Sequence, residues 1–222
     1  ENLRRLEQQG IAIKDALTGE RLEARVQLVD RLDPEDRYDL VVAAMPRSSR
    51  LAVCPILARN PHLPHILFLG NHVDGFHRYL DHLPPSKVLL GFPGAGGGVE
   101  DGQLKILDRE KKNGKGELYI GELDGRIRER TEAIAALFAS AGLKVHVEPN
   151  IDGWLKYHFA FIGPTVGAIF KHGGDRKAVA ADRDTIHQYC RACRQSGDVL
   201  RAVGYRKRPP GVFILDSGLP RW

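Results

Sequence analysis

The chain has 222 residues, 42% hydrophobic and 27% charged, with a formal net charge of +5. That balance suits a globular protein with a substantial core, and the mild positive charge suits anionic small molecules. Lys and Arg are interspersed with Asp and Glu, and no basic stripe is interleaved with aromatics, which argues against nucleic acid as a partner. No apolar run approaches the roughly 20 residues of a membrane span.

In chain order, "NLRRLEQQ" reads as the end of a helix closed by Gly10. "IAIKDA" and "EARVQLVD" (23–30) read as a short hairpin. "YDLVVAAM" (38–45) is a continuous apolar run, expected to be a buried parallel strand. A helix follows over "SSRLAVCPILARN", with Ser48 or Ser49 as its cap. "HILFLG" (65–70) is a second buried strand, "GFHRYLDHL" a short helix and "KVLLGFP" (87–93) a third strand. This alternation predicts a parallel sheet with helices on its faces.

The glycine-rich "GFPGAGGGVEDG" (91–102) invites a phosphate-loop reading but fails its tests. It lacks G-K-[ST], Val99 stands where G-x-G-x-x-G needs its third glycine, and no helical pattern follows. A turning connection is the simpler reading; close approach of a ligand to the backbone is the alternative. "GQLKILD" and "GELYIGEL" alternate like the strands of a hairpin, with "DREKKNGKGE" as its solvated turn. A helix over 125–143 and a strand at "KVHVEP" close this part.

From Asp152 onward the pattern is helical: "DGWLKYHFAFIGPTVGAIFKHG", capped by Asp152, and then a helix over 182–204. Pro164 inside the first of these is expected to kink it. The reading is therefore an α/β class protein: a Rossmann-like parallel sheet domain over 1–150 and an all-α helical domain over 151–222. An open sheet of this kind carries its dinucleotide fingerprint in the first strand–turn–helix. A strand–helix unit of about 30 residues is expected before Glu1, so the sheet domain is read as N-terminally incomplete.

Cysteine use is low and odd, at three residues, and no signal peptide is evident, so a cytoplasmic setting is expected. Cys190 and Cys193 form a lone C-x-x-C with His187 three residues before. Zinc wants four ligands and no second pair exists, so no metal is expected.

The order "YDLVVAAM…HILFLGNHVDG…KVLLGFPGAGGG…IGELDG…DGWLKYHFAFIGP" resembles the ketopantoate reductase family, over roughly residues 1–205. The resemblance implies a Rossmann domain and a helical domain, NADPH as cofactor, reduction of a 2-keto acid to a hydroxy acid, and a homodimer. It assigns Lys156 as the catalytic lysine and Asn71 as the asparagine near nicotinamide and substrate. The family lysine after the first quoted strand is replaced by Pro46, with Arg47 beside it as a possible cofactor contact. The asparagine one turn beyond the lysine is replaced by Ala160, a substrate-side position. His158, four residues after Trp154, reads as packing, and a substitute donor is the alternative for it. These departures point to an altered, keto-acid-like substrate. The alternative is a non-catalytic ligand-binding or dimerising protein that keeps the fold.

Lys156 is also informative by itself. Phe159, Ala160 and Gly163 share its helix face, and beyond Phe159 that stripe is small. A ligand-facing ammonium fits such a strip; so does a lysine snorkelling to solvent. Glu122 in "IGELDG" reads as structural.

Overall fold

The structure is a computed structural model and describes residues 2–15, 18–94, 96–100, 103–107 and 116–206. The first part of the chain contains α1 (Asn2–Gln9), β1 (Ile11–Asp15), β2 (Arg21–Ala24), β3 (Val41–Ala44), α2 (Arg47–Ala58), β4 (Ile66–Leu69) and β5 (Val88–Pro93). It continues with β6 (Gly96–Glu100), β7 (Gln103–Leu107), β8 (Glu117–Glu122), α3 (Glu129–Ser140) and β9 (Lys144–Val147). Then come α4 (Ile151–Lys171), α5 (Arg176–Ala181) and α6 (Arg183–Ala202). The protein is α/β, with a mainly parallel Rossmann-like sheet followed by helices.

The chain divides into two compact units, one made of Glu1–Gly70 and His77–Pro149, the other of Asn71–Phe76 and Asn150–Trp222. In the first, a five-stranded sheet runs β3-β4-β5-β8-β9. β3, β4 and β5 are parallel, β8 is antiparallel to β5, and β9 is parallel to β8. Its core is Leu67, Leu89, Leu118 and Ile120 with Ile134 of α3 packed on them. Apolar burial of this kind supplies the main driving force for the sheet. Gly91 lies where β5 meets β8: a Cβ there would stand 2.7 Å from the Tyr119 carbonyl oxygen. A four-stranded sheet, β2-β1-β7-β6, completes the unit.

Several sequence expectations need correction. The second hairpin strand is 21–24, not 23–30; it is the edge of its sheet, and the apolar residues beyond it, Val26 and Val29, are exposed rather than buried against a core. β3 is an edge strand with Val42 and Ala44 exposed, so its apolar run does not mean burial on both faces. α2 starts at Arg47 behind Pro46, and neither Ser48 nor Ser49 caps it. The predicted helix at 75–83 reduces to a 3₁₀ turn, His77–Tyr79.

The segments expected to form one hairpin belong to different sheets. β7 pairs with β6 and β1, whereas β8 pairs with β5 and β9. The glycine-rich run is not a loop; Gly96–Glu100 is strand β6. Gly97 sits so close to β7 that a Cβ would meet the Lys105 carbonyl oxygen at 2.4 Å. The turn expected in "DREKKNGKGE" lies mostly outside the described residues, as does the tail after Arg206.

In the helical unit α4 and α6 pack together. Asn150, not Asp152, caps α4 by accepting the Gly153 N–H at 3.1 Å. α4 stays helical through Pro164 to Lys171, so that proline does not end it. α6 is capped by Asp182, which accepts from Asp184 and Thr185. No helix among the described residues is long and apolar enough to cross a membrane.

Candidate functional site

α4 begins at Ile151, which places Asp152 and Lys156 one turn apart on one face. They form an ion pair in which the Lys156 side chain is 11% exposed and Asp152 18%. The other Asp152 oxygen accepts from the Tyr205 hydroxyl at 2.6 Å. The Lys156 ammonium also lies over the Tyr205 ring, 4.8 Å from its centroid, within cation–π range. Tyr205 is itself tied down, because the buried Tyr157 hydroxyl donates to its carbonyl oxygen. Burial and the neighbouring Asp152 carboxylate push the Tyr205 phenol up from its ordinary value.

Lys156 borders a cavity of about 410 Å³. Its apolar lining comes from Val73, from Phe159, Ala160 and Pro164 of α4, and from Ala192, Val199 and Leu200 of α6. Its polar lining is Lys156, Gln195 and Ser196. The cavity is open to solvent, with Val73 and Val199 exposed, and an apolar cleft with a few convergent polar groups is the usual form of a small-molecule site. An ammonium, an amide and a hydroxyl there can hold a carbonyl oxygen or a carboxylate.

The expected site residues fall into three groups. Lys156 and Ala160 share the cavity, and so does Val73 of the segment that begins at Asn71. Asn71 is half-buried and is not among the lining residues. His158 does not line the cavity either. It stacks on Trp154 at 5.0 Å and 7° between planes, and burial pushes its imidazole down to about 4. The stack on Trp154 agrees with the packing role that its spacing suggests, and His158 is not at this cavity. Pro46 and Arg47 belong to the sheet unit, exposed at the carboxyl end of β3 where α2 starts.

Residue-type reasoning missed Asp152 as the partner of Lys156, although their spacing of four was readable. It also missed Tyr205, Gln195 and Ser196, which reach the site only through the packing of α6 on α4. Buried Arg50 was overlooked as well; it donates to the Leu69 carbonyl at 3.0 Å, beneath Gly70. Cys190 and Cys193 are free thiols, and the described residues contain no His/Cys/Asp/Glu group able to hold a metal.

The sheet unit has its own charged cluster, beside a cavity of about 420 Å³. The buried Glu122 accepts from Arg130 through both of its oxygens and from the Thr131 hydroxyl at 2.7 Å, and it is ion-paired with Arg128 at 3.4 Å. Burial alone would raise this carboxyl, but Arg130, Thr131 and Arg128 together hold it below the usual carboxylate range. Arg128 also clamps Asp124 at 2.8 and 2.6 Å.

With this geometry in place, comparison with solved structures is informative. The chain superposes on 2-dehydropantoate 2-reductase from Geobacter metallireducens with a TM-score of 0.73 at 16% identity, covering 94% of this chain and 66% of that one. It superposes on the enzyme of the same name from Porphyromonas gingivalis with a TM-score of 0.69 at 19% identity, covering 95% and 70%. D-mandelate dehydrogenase in complex with NADH gives a TM-score of 0.70 at 15% identity, covering 91% and 62%.

The fold is that of the ketopantoate reductases. At these identities the likeness is one of fold, and the chain spans about two thirds of each of those proteins. No protein-family profile matches the sequence, and no curated protein does.

Proposed function

We propose that this protein belongs to a nicotinamide-dependent oxidoreductase of the ketopantoate reductase type, which reduces a 2-keto acid or related carbonyl compound with NADPH. The observation that carries this reading is the Lys156 ammonium at the edge of an apolar cavity, on a fold shared with such reductases. Lys156 would donate a hydrogen bond to the substrate carbonyl oxygen. That charge stabilises the oxygen as negative charge develops on it, and the same group supplies the proton that completes the hydroxyl. The nicotinamide, when bound, supplies the hydride that reaches the carbonyl carbon.

The walls made by Phe159, Ala160, Pro164, Val199 and Leu200 favour a substrate with an apolar side chain. Asn71 remains a proposed contact of substrate and nicotinamide. Arg47 is the residue present that fits a cofactor phosphate: it is exposed at the first position of a helix whose start has no side-chain cap. A cytoplasmic homodimer completes the proposal. Val166 and Phe170, four residues apart on α4 and 56% and 85% exposed, offer apolar surface to a second copy. Sedimentation equilibrium should read twice the chain mass, and a monomer at micromolar concentration would remove that part.

The function is tested by titrating the protein with NADPH and following nicotinamide fluorescence, then assaying a panel of 2-keto acids. Binding is expected, with Lys156→Ala reducing kcat/KM by about a hundredfold or more. No binding at high micromolar NADPH sinks the reading. One observation favours a non-catalytic protein instead: Lys156 already has a carboxylate partner. Unchanged turnover in the Ala variant would decide for that second reading.

A further inference from the structure

We propose that Asp152 and Tyr205 are positioning residues for Lys156, acting as a bracket that aims its ammonium at the cavity. The inference rests on the reductase reading above for its kinetic consequences, but its geometry stands apart from turnover.

Both oxygens of Asp152 are engaged, one by the Lys156 ammonium and one by the Tyr205 hydroxyl at 2.6 Å. The Tyr205 ring covers a second side of the ammonium, 4.8 Å away. An ammonium has three N–H groups. With the carboxylate on one and the ring face beside another, a donor is left for a ligand in the cavity that Lys156 borders. A free lysine has four rotatable bonds, and fixing it in one direction before the ligand arrives removes that ordering cost from the reaction step.

The bracket is held from two sides. Asp152 sits in the capped first turn of α4. Tyr205 follows Gly204, which has φ 102° just past the end of α6. Its N–H donates to the Leu200 carbonyl at 2.9 Å and its own carbonyl accepts from Tyr157.

The bracket also fixes what the site can recognise. Lys156 and Asp152 together carry no net charge, so the cavity offers a directed hydrogen bond rather than an attractive positive field. Ligand selection then rests on the carbonyl oxygen and the apolar side chain more than on a carboxylate.

The test uses Asp152→Asn, Asp152→Glu and Tyr205→Phe in the full chain, with two readouts. The first is the rate at which an amine-reactive acylating reagent labels Lys156, resolved by peptide mass spectrometry. Asp152→Asn should label several-fold faster than the parent, Tyr205→Phe less so, and Asp152→Glu close to the parent.

The second readout is turnover of 2-keto acids with NADPH. Asp152→Asn should lower kcat by about tenfold or more while KM stays level or falls, because positioning is lost and net positive charge is gained. Asp152→Glu should recover most of kcat. Parent-like labelling in both Asp152→Asn and Tyr205→Phe overturns the proposal. Altered labelling with turnover indifferent to Lys156→Ala upholds the bracket and rejects the reductase reading.

Discussion

Glu122 in the sheet unit and Lys156 in the helical unit are both charged side chains largely removed from water, and their surroundings treat them in opposite ways. Glu122 accepts from Arg130 and Thr131 and is ion-paired with Arg128, so its carboxylate is saturated by the protein itself. Lys156 has one carboxylate and one aromatic face, and it borders a mainly apolar cavity that also carries Gln195 and Ser196. A saturated buried charge holds the fold together; one left with spare hydrogen-bonding capacity beside a cavity can serve a ligand. Exposure alone would not separate the two.

Glu122→Ala puts the largest strain on this contrast. It strands Arg130 without its carboxylate and should lower stability by about 3 kcal/mol, read from the urea midpoint. Labelling of Lys156 in the same variant should not change. Equal stability would mean that the Arg130–Glu122 fork only offsets its own desolvation.

A smaller effect contrasts the two faces of α4. His158 has its imidazole pushed down to about 4 from an ordinary 6.5 by burial. As pH falls below 6.5 the unfolded chain therefore binds the proton first, and stability is lost progressively between about pH 6.5 and pH 4. The ideal loss is trimmed by partial exposure to on the order of 2 kcal/mol. His158→Phe keeps the stack on Trp154 and should flatten that limb of the stability profile. A limb of undiminished depth would place the responsible group elsewhere.

Much of the fold was legible. The apolar strands at 66–69 and 88–93, the helix over 129–140 and the long helix carrying Lys156 follow from apolar runs, period and punctuation. What failed was pairing. β7 and β8 lie close in sequence and alternate alike, yet they belong to different sheets, β7 beside β1 and β6 and β8 between β5 and β9. The glycines at 96–98 read as a loop because residue type cannot report that β7 packs against their backbone.

The candidate site divides along the same line. Local pattern alone puts a lysine one helical turn past an aspartate, with small residues following on its face. Those are consequences of a 3.6-residue period within one element. Tertiary structure placed Tyr205 on the pair from 53 residues away and set Gln195 and Ser196 at the same cavity, whereas the stack of His158 on Trp154, four residues earlier, is local to α4 and readable from spacing. The placing of Tyr205, Gln195 and Ser196 depends on how α6 packs on α4, a long-range match of surfaces that no local pattern encodes.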